Sequence, residues 1–314
     1  MNIVLAAEES AGLQILQTLA RSNHRVIAVL ASLSKAASGT DVWSVARKLG
    51  LTTWPAKLVR DPDLADRLRS HQVDILLNVH SLYVVHTAVL AAPRLGAFNL
   101  HPGPLPRYAG LNAVSWAIYH GEKSYGVTIH KMEPGIDTGP IAYQSFFPIE
   151  DSDSALSLSF KCMREGVRLI LELLEVASAD PERLPLVPQD LSQRKYFGHG
   201  VPNDGRLSWS WAAAKIINFV RACDYFPFRS PWGHPRTQLG EQEIGVVKAS
   251  GTSRPSDAVP GTVGHPVGSG VYVASLDEWV LVKQLKLGGT YVKAADILKP
   301  GQQLDSELCA QRVE

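Results

Sequence analysis

From its first residue the chain alternates short apolar runs with helically spaced ones, and this alternation limits its possible folds more than any other feature. Met1-Asn2-Ile3-Val4-Leu5-Ala6-Ala7 predicts a buried strand, Leu13, Ile15, Leu16 and Leu19 predict a helix capped by Ser10, and Arg25–Leu30 predicts a second strand. A strand, a helix and a strand in that order imply a crossover connection and a parallel sheet. A polar loop at Ser32–Asp41, a helix through Val45, Ala46 and Leu49, and an extended piece at Thr52-Thr53-Trp54 continue the pattern. Ile75-Leu76-Leu77-Asn78-Val79 and Gly96-Ala97-Phe98-Asn99-Leu100 predict two more buried strands. The expected fold class is therefore α/β, a doubly wound and mostly parallel sheet. The first crossover lacks a Gly-x-Gly-x-x-Gly turn, so a dinucleotide site there is unsupported.

If Asn99 ends its strand, His101 sits just past the carboxyl end, where open α/β sheets bind ligands. Pro102, Pro104 and Pro106 remove three N–H donors and stiffen the backbone, giving a rigid loop after His101. Leu111–Tyr119 has helical spacing and stops at Gly121, and Gly126-Val127-Thr128-Ile129-His130 is strand-like. Gly135 and Gly139 bracket Asp137 in a loop expected to need permissive backbone angles. Taken singly, His101 reads as a structural hydrogen-bonder, Asn99 as a strand cap and Asp137 as an Asx turn. Together, an amide, an imidazole and a carboxylate at strand ends compose a site able to handle a tetrahedral intermediate, and the chain reads as an enzyme.

Asn99, His101 and Asp137, with the neighbouring Leu-Pro-Arg-Tyr, Trp-Ala-Ile and Gly-Val-Thr-Ile-His segments, resemble the signature of the folate-dependent formyltransferase family. The likeness is strongest over 70–145. It implies a Rossmann-like catalytic domain and a 10-formyltetrahydrofolate donor whose formyl group passes to an amine or, in a hydrolase branch, to water. In that family Asn99 and His101 would stabilise the oxyanion, and Asp137 would orient His101 and relay protons. It also implies that the loop after residue 79 and the aspartate loop wall a pterin pocket, which carries Ser81, Leu82, Tyr83 and Ile136 over as cofactor neighbours. Tyr83 reads equally well as a surface aromatic, and His80 and His86 as polar surface residues.

Asp151-Ser152-Asp153-Ser154 precedes a long amphipathic helix through Leu174, followed by a Pro-containing polar connector at Ser178–Pro188. A boundary at 200–205 divides the chain into a catalytic domain, 1–200, and a second domain, 205–314. In the latter, Leu207-Ser208-Trp209 with Ala212–Cys223 predicts one helix. Short runs at Glu243–Val247, Gly261–Val263, Gly270–Ala274 and Trp279–Leu285 predict a small β-rich, barrel-like fold. That half resembles the carboxyl-terminal domain of longer formyltransferases.

At 314 residues, 45% hydrophobic and 19% charged, the chain supports two cores. No apolar run reaches the roughly 20 residues that span a bilayer, and the start lacks a signal pattern, so a cytoplasmic location is expected. Cys162, Cys223 and Cys309 are too few and too scattered for a disulfide framework or a metal site. A methionyl-tRNA acceptor is disfavoured by a net charge of +1 and by a Ser32–Asp41 loop with one lysine, where tRNA-acting relatives carry a basic insertion. A small-molecule amine is expected instead, either a nucleotide-linked amino sugar or an amino acid that is free or bound to a carrier protein. Ala109 replaces a basic residue common in the family, and Arg107 reads equally as its substitute or as a surface residue. A 10-formyltetrahydrofolate hydrolase and an inactive folate-binding scaffold are the rival readings, and the sequence leaves the oligomeric state open.

Overall fold

A computed structural model describes residues 1–33 and 41–305. Residues 34–40, most of the loop inspected for a basic insertion, lie outside the described residues, as does Cys309. The chain divides into two units. The first comprises Met1–Gly110, Tyr125–Phe147 and Phe160–Tyr196, and the second comprises Leu111–Ser124, Pro148–Ser159 and the chain from Phe197 onward.

The first unit opens with β1 (Asn2–Ala7), α1 (Glu9–Ala20), β2 (Arg25–Ala31), α2 (Val42–Lys48), β3 (Thr53–Pro55), α3 (Leu64–Ser70), β4 (Ile75–Val79), α4 (Thr87–Leu90) and β5 (Gly96–His101). After β6 (Ala109–Gly110), the chain enters α5 (Ala113–Tyr119), counted with the second unit. It returns through β7 (Ser124–Lys131), β8 (Ile141–Pro148) and α6 (Ala155–Ala179). The main sheet has the order β3-β2-β1-β4-β5-β7-β8. β1 pairs in parallel with β2 and β4, as β2 does with β3 and β4 with β5, whereas β7 runs antiparallel to β5. This is the expected doubly wound α/β fold. Its strands carry almost no alternation because both faces are covered: Ile3, Leu5, Ile75, Leu76 and Phe98 are all fully buried.

Helix α1 lies so close to β1 that a Cβ at Gly12 would stand 2.8 Å from the Ala7 Cβ. Ser10 is not its cap. The helix starts at Glu9 with Glu8 in the cap position, and the Glu8 main-chain carbonyl takes the first helical N–H, from Gly12. The Glu8 carboxylate turns instead to the Ser32 N–H, 2.7 Å away. His101 is the last residue of β5 rather than the residue after it, because pairing with Thr128 of β7 extends the strand.

The second unit contains β9 (Tyr196–Phe197) from Phe197 on, α7 (Ala213–Ala222), β10 (Arg236–Leu239), β11 (Gln242–Pro255), β12 (Val263–Val267), β13 (Gly270–Ala274), β14 (Glu278–Leu287), β15 (Thr290–Lys293), α8 (Ala294–Ile297) and β16 (Leu304–Asp305). Its antiparallel sheet has the order β12-β13-β14-β11-β10-β16, with β15 on β14. Hydrogen bonds from Val263 N–H to Gln302 O and from Leu304 N–H to Gly261 O draw the two ends of that order together, giving the barrel-like curl. Leu207–Trp209 stands outside α7, contrary to the single helix expected. The Leu207 N–H bonds to Arg236 O, and the buried Trp209 indole donates to Thr237 Oγ1 at 3.0 Å. β11 runs well past Val247, because it stays paired with β14 as far as Pro255; its outer residues are mostly polar and carry no apolar pattern.

Phe98 lies on the strand that carries the candidate site and is fully buried. Phe98→Ala is expected to lower stability in urea unfolding by about 3–5 kcal/mol. A loss below about 1 kcal/mol would be incompatible with a packed β5.

Candidate active site

β4, β5 and β7 are neighbours, and their register sets Asn78 beside Asn99 and Asn99 beside His130. Three polar residues thus form one rung across the sheet. The Asn78 Nδ2 donates to Asn99 Oδ1 at 2.7 Å, which turns the Asn99 amide nitrogen toward His130 Nε2, 3.1 Å away, and Asp137 Oδ1, 3.5 Å away. The main-chain carbonyl of Lys131 lies 3.1 Å from His130 Nδ1, and the ring's Nε2 lies between the Asn99 amide and Asp137 Oδ1.

The loop after β5 is rigid, and side chains as well as its prolines hold it. Tyr125 donates to Pro102 O at 2.8 Å, Thr128 to Gly103 O at 2.7 Å and Gln144 to Leu105 O at 3.0 Å. This loop aims the carbonyl of Tyr108 at His101 Nε2, 2.5 Å away. A carbonyl only accepts, so His101 carries its proton on Nε2 and presents a lone pair at Nδ1. Asp137 Oδ2 lies 3.6 Å from that Nδ1.

Asp137 itself holds the left-handed conformation, at φ 55°. Neither flanking glycine has a positive φ; Gly139 is required because a Cβ there would run into Lys131 O. The sequence therefore pointed to the right loop and the wrong residue for the unusual angle. The carboxylate is buried, and it accepts the Gly110 N–H at Oδ2 (2.8 Å) and faces His130 Nε2 from Oδ1 (3.3 Å). Burial alone would raise its pKa, but the imidazoles of His101 and His130 and the Gly110 N–H outweigh it and hold the carboxyl well below the ordinary range. Burial dominates at His101 and lowers the imidazole below its ordinary value, against the opposing pull of Asp137 and Tyr108 O. At neutral pH the pair is a carboxylate facing a neutral imidazole.

The structure brings Asn99, His101 and Asp137 together, and His130 and Asn78 join them unforeseen. The available signal was a histidine or asparagine inside an otherwise buried apolar strand. Ser81 is half-buried after β4, Leu82 and Ile136 are exposed at 64% and 45%, and Tyr83 packs against the apolar cluster of Val85 and Val89. His80 faces Glu9 at 3.3 Å, His86 caps α4, and Arg107 lies over the Tyr108 ring. Among the described residues no group of metal-binding side chains occurs, and no helix is long and apolar enough to cross a membrane.

The profile of a family described as "Formyl transferase" matches residues 1–174, more than half of the chain, and that of "Formyl transferase, C-terminal domain" matches 201–300. The chain belongs to the formyl transferase family. Among curated relatives of this formyl transferase, methionyl-tRNA formyltransferase of Legionella pneumophila (strain Paris) is 28% identical over 99% of both chains. The enzyme of that name from Synechococcus sp. (strain JA-3-3Ab) is 32% identical over 83% of this chain and 80% of its own. Solved structures with the same fold include the following two. An N-formyltransferase from Helicobacter canadensis in complex with folinic acid and dTDP-3-aminofucose has a TM-score of 0.67 at 17% identity, over 89% of this chain and 98% of that one. HypX from Aquifex aeolicus in complex with tetrahydrofolic acid has a TM-score of 0.66 at 18% identity, over 94% of this chain, which spans only 46% of HypX.

Because His101 is lowered, protons bind the unfolded chain first as pH falls below the free imidazole value of about 6.5, and stability falls with it. Asp137 adds a second loss below about pH 4, where the unfolded carboxyl takes a proton and the folded one resists. Thermal unfolding of the formyl transferase from pH 8 to 3 is therefore expected to show both declines. His101→Gln should flatten the upper one and Asp137→Asn the lower. Identical pH slopes in wild type and both variants would contradict these assignments.

Proposed function

We propose that the protein is an N-formyltransferase that moves a formyl group from 10-formyltetrahydrofolate to a primary amine of a small-molecule acceptor, with the chemistry in residues 1–200. The observation that carries this reading is the meeting of Asn99, His101 and Asp137 at the carboxyl end of β5, in a chain matched by both formyl transferase profiles. Relatives in the fold bound to tetrahydrofolic or folinic acid support the donor. The residues present suit it. Exposed Leu82 and Ile136 offer apolar surface to a flat ring on loops adjoining the buried polar cluster, and Ser81 and Tyr83 flank Leu82.

The donor supplies an electrophilic formyl carbon, and the protein has to manage two charges as the amine adds to it. The Asn99 amide, oriented by Asn78, turns from His130 and Asp137 to the formyl oxygen as that oxygen becomes negative; such a donor is worth about 3–4 kcal/mol. His101 Nδ1, with its lone pair fixed by the Tyr108 carbonyl, takes the proton from the attacking amine. Asp137 stabilises the imidazolium so formed, and His101 returns the proton to the departing folate nitrogen as the old carbon–nitrogen bond breaks. One proton and one formyl group change nitrogen, and the site ends as it began.

A small acceptor is supported by the net charge of +1, since a polyanion binder needs a basic footprint. The full-length match to methionyl-tRNA formyltransferases supports a second reading, an aminoacyl-tRNA acceptor.

Folate release from 10-formyltetrahydrofolate, followed by absorbance, separates these readings when run with amino-sugar nucleotides, free and carrier-bound amino acids, and charged initiator tRNA. Release dependent on one small amine is expected. Dependence on tRNA, with a rate falling steeply between roughly 50 and 200 mM salt, would replace the acceptor. Release without any acceptor would indicate a hydrolase, and folate binding without turnover an inactive scaffold. Asp137→Asn should stay folded and lose at least about 100-fold in kcat.

A further inference from the structure

The two family matches leave residues 175–200 uncovered, and this connector holds hydrogen bonds to both loops of the site. We propose that Val187–Lys195 is a strap that fixes the two catalytic loops to each other, with Gln189 the positioning residue for Asp137. The proposal rests on the role given to Asp137 above.

On one side the strap grips the aspartate loop. Val187 and Ile141 exchange main-chain hydrogen bonds of 2.9 and 2.8 Å. The Gln189 side-chain amide donates to Asp137 O at 3.0 Å and to Gly139 O at 2.6 Å, and Arg194 Nη2 donates to Ile136 O at 2.9 Å. On the other side it grips the histidine loop, for the Lys195 N–H donates to Pro106 O at 3.2 Å and the Ala109 N–H to Lys195 O at 3.0 Å. The Gly110 N–H, next in line, closes the circuit on Asp137 Oδ2 at 2.8 Å. Most of the strap is exposed, yet Gln189 and Arg194 are half-buried and span more than fifty residues of sequence to reach carbonyls of one loop.

A left-handed residue between two glycines has no strand or helix to receive its carbonyl, so a side-chain donor has to hold it. Gln189 supplies that donor directly to Asp137 and to the residue two positions on. Without it, the main chain at Asp137 is released from the angle that aims its carboxylate at His101 and Gly110.

The test compares wild type with Gln189→Leu and with Gln193→Ala, a control on the same strap whose amide donates to Asp190. Amide hydrogen exchange at Gly110 reports the position of Asp137 without any need for activity, and steady-state kinetics reports the chemistry. In Gln189→Leu, exchange at Gly110 is expected to rise at least about tenfold. Its kcat is expected to fall at least about tenfold, with KM for 10-formyltetrahydrofolate within about twofold and Gln193→Ala unchanged. Wild-type protection at Gly110 in a folded Gln189→Leu would overturn the proposal and leave the formyl-transfer reading standing. Lost protection in a protein whose wild type transfers no formyl group would uphold the strap and remove that reading. Gln189→Glu keeps the size and removes the donors, so it is read in the same way if the leucine variant does not fold. Failure of both variants to fold, with Gln193→Ala folded, would overturn the positioning role in favour of a general structural one.

Discussion

A carboxylate removed from water at 9% exposure survives as an anion only if its surroundings replace the lost hydration. Asp137 has the Gly110 N–H on one oxygen, the Asn99 amide near the other, and an imidazole facing each. Losing the Gly110 or Asn99 donor leaves a buried charge short of a partner, which costs several kcal/mol. The positions of His101, His130, Asn99 and the loop before Gly110 are therefore tied together by one charge. In the proposed reaction the same charge serves the chemistry, because a neutral His101 facing a fixed anion can accept a proton and surrender it afterwards.

The fold supports this charge at two levels. The sheet supplies a polar rung, Asn78–Asn99–His130, whose register is set by the apolar strands around it. A one-residue slip of β7 would send His130 to the other face and leave Asn99 without its partner. The loops supply the rest, and they are held by side chains of β7 and β8, Tyr125, Thr128 and Gln144, as much as by their own prolines.

What the sequence made legible was what is encoded locally. The buried strands followed from runs such as Ile75–Val79, the rigid loop from Pro102, Pro104 and Pro106, and the aspartate loop from Gly135 and Gly139. The formyltransferase resemblance read from Asn99, His101 and Asp137 agrees with the family matches. What stayed hidden depends on long-range register or on main-chain atoms. Asn78 and His130 matter because strands distant in sequence pair beside Asn99, and the tautomer of His101 depends on a carbonyl at Tyr108 that any residue could present. Ser10 failed as a cap because the helix begins before it, with Glu8 in the cap position. The extension of β11 was hidden by exposed polar residues.

The account stands or falls on the state of His101 opposite Asp137, and nitrogen-15 NMR of the labelled imidazole at neutral pH reads that state directly. The account predicts a neutral ring with its proton on Nε2 and an unprotonated Nδ1 facing the carboxylate. A doubly protonated ring, or a neutral ring with its proton on Nδ1, would contradict it.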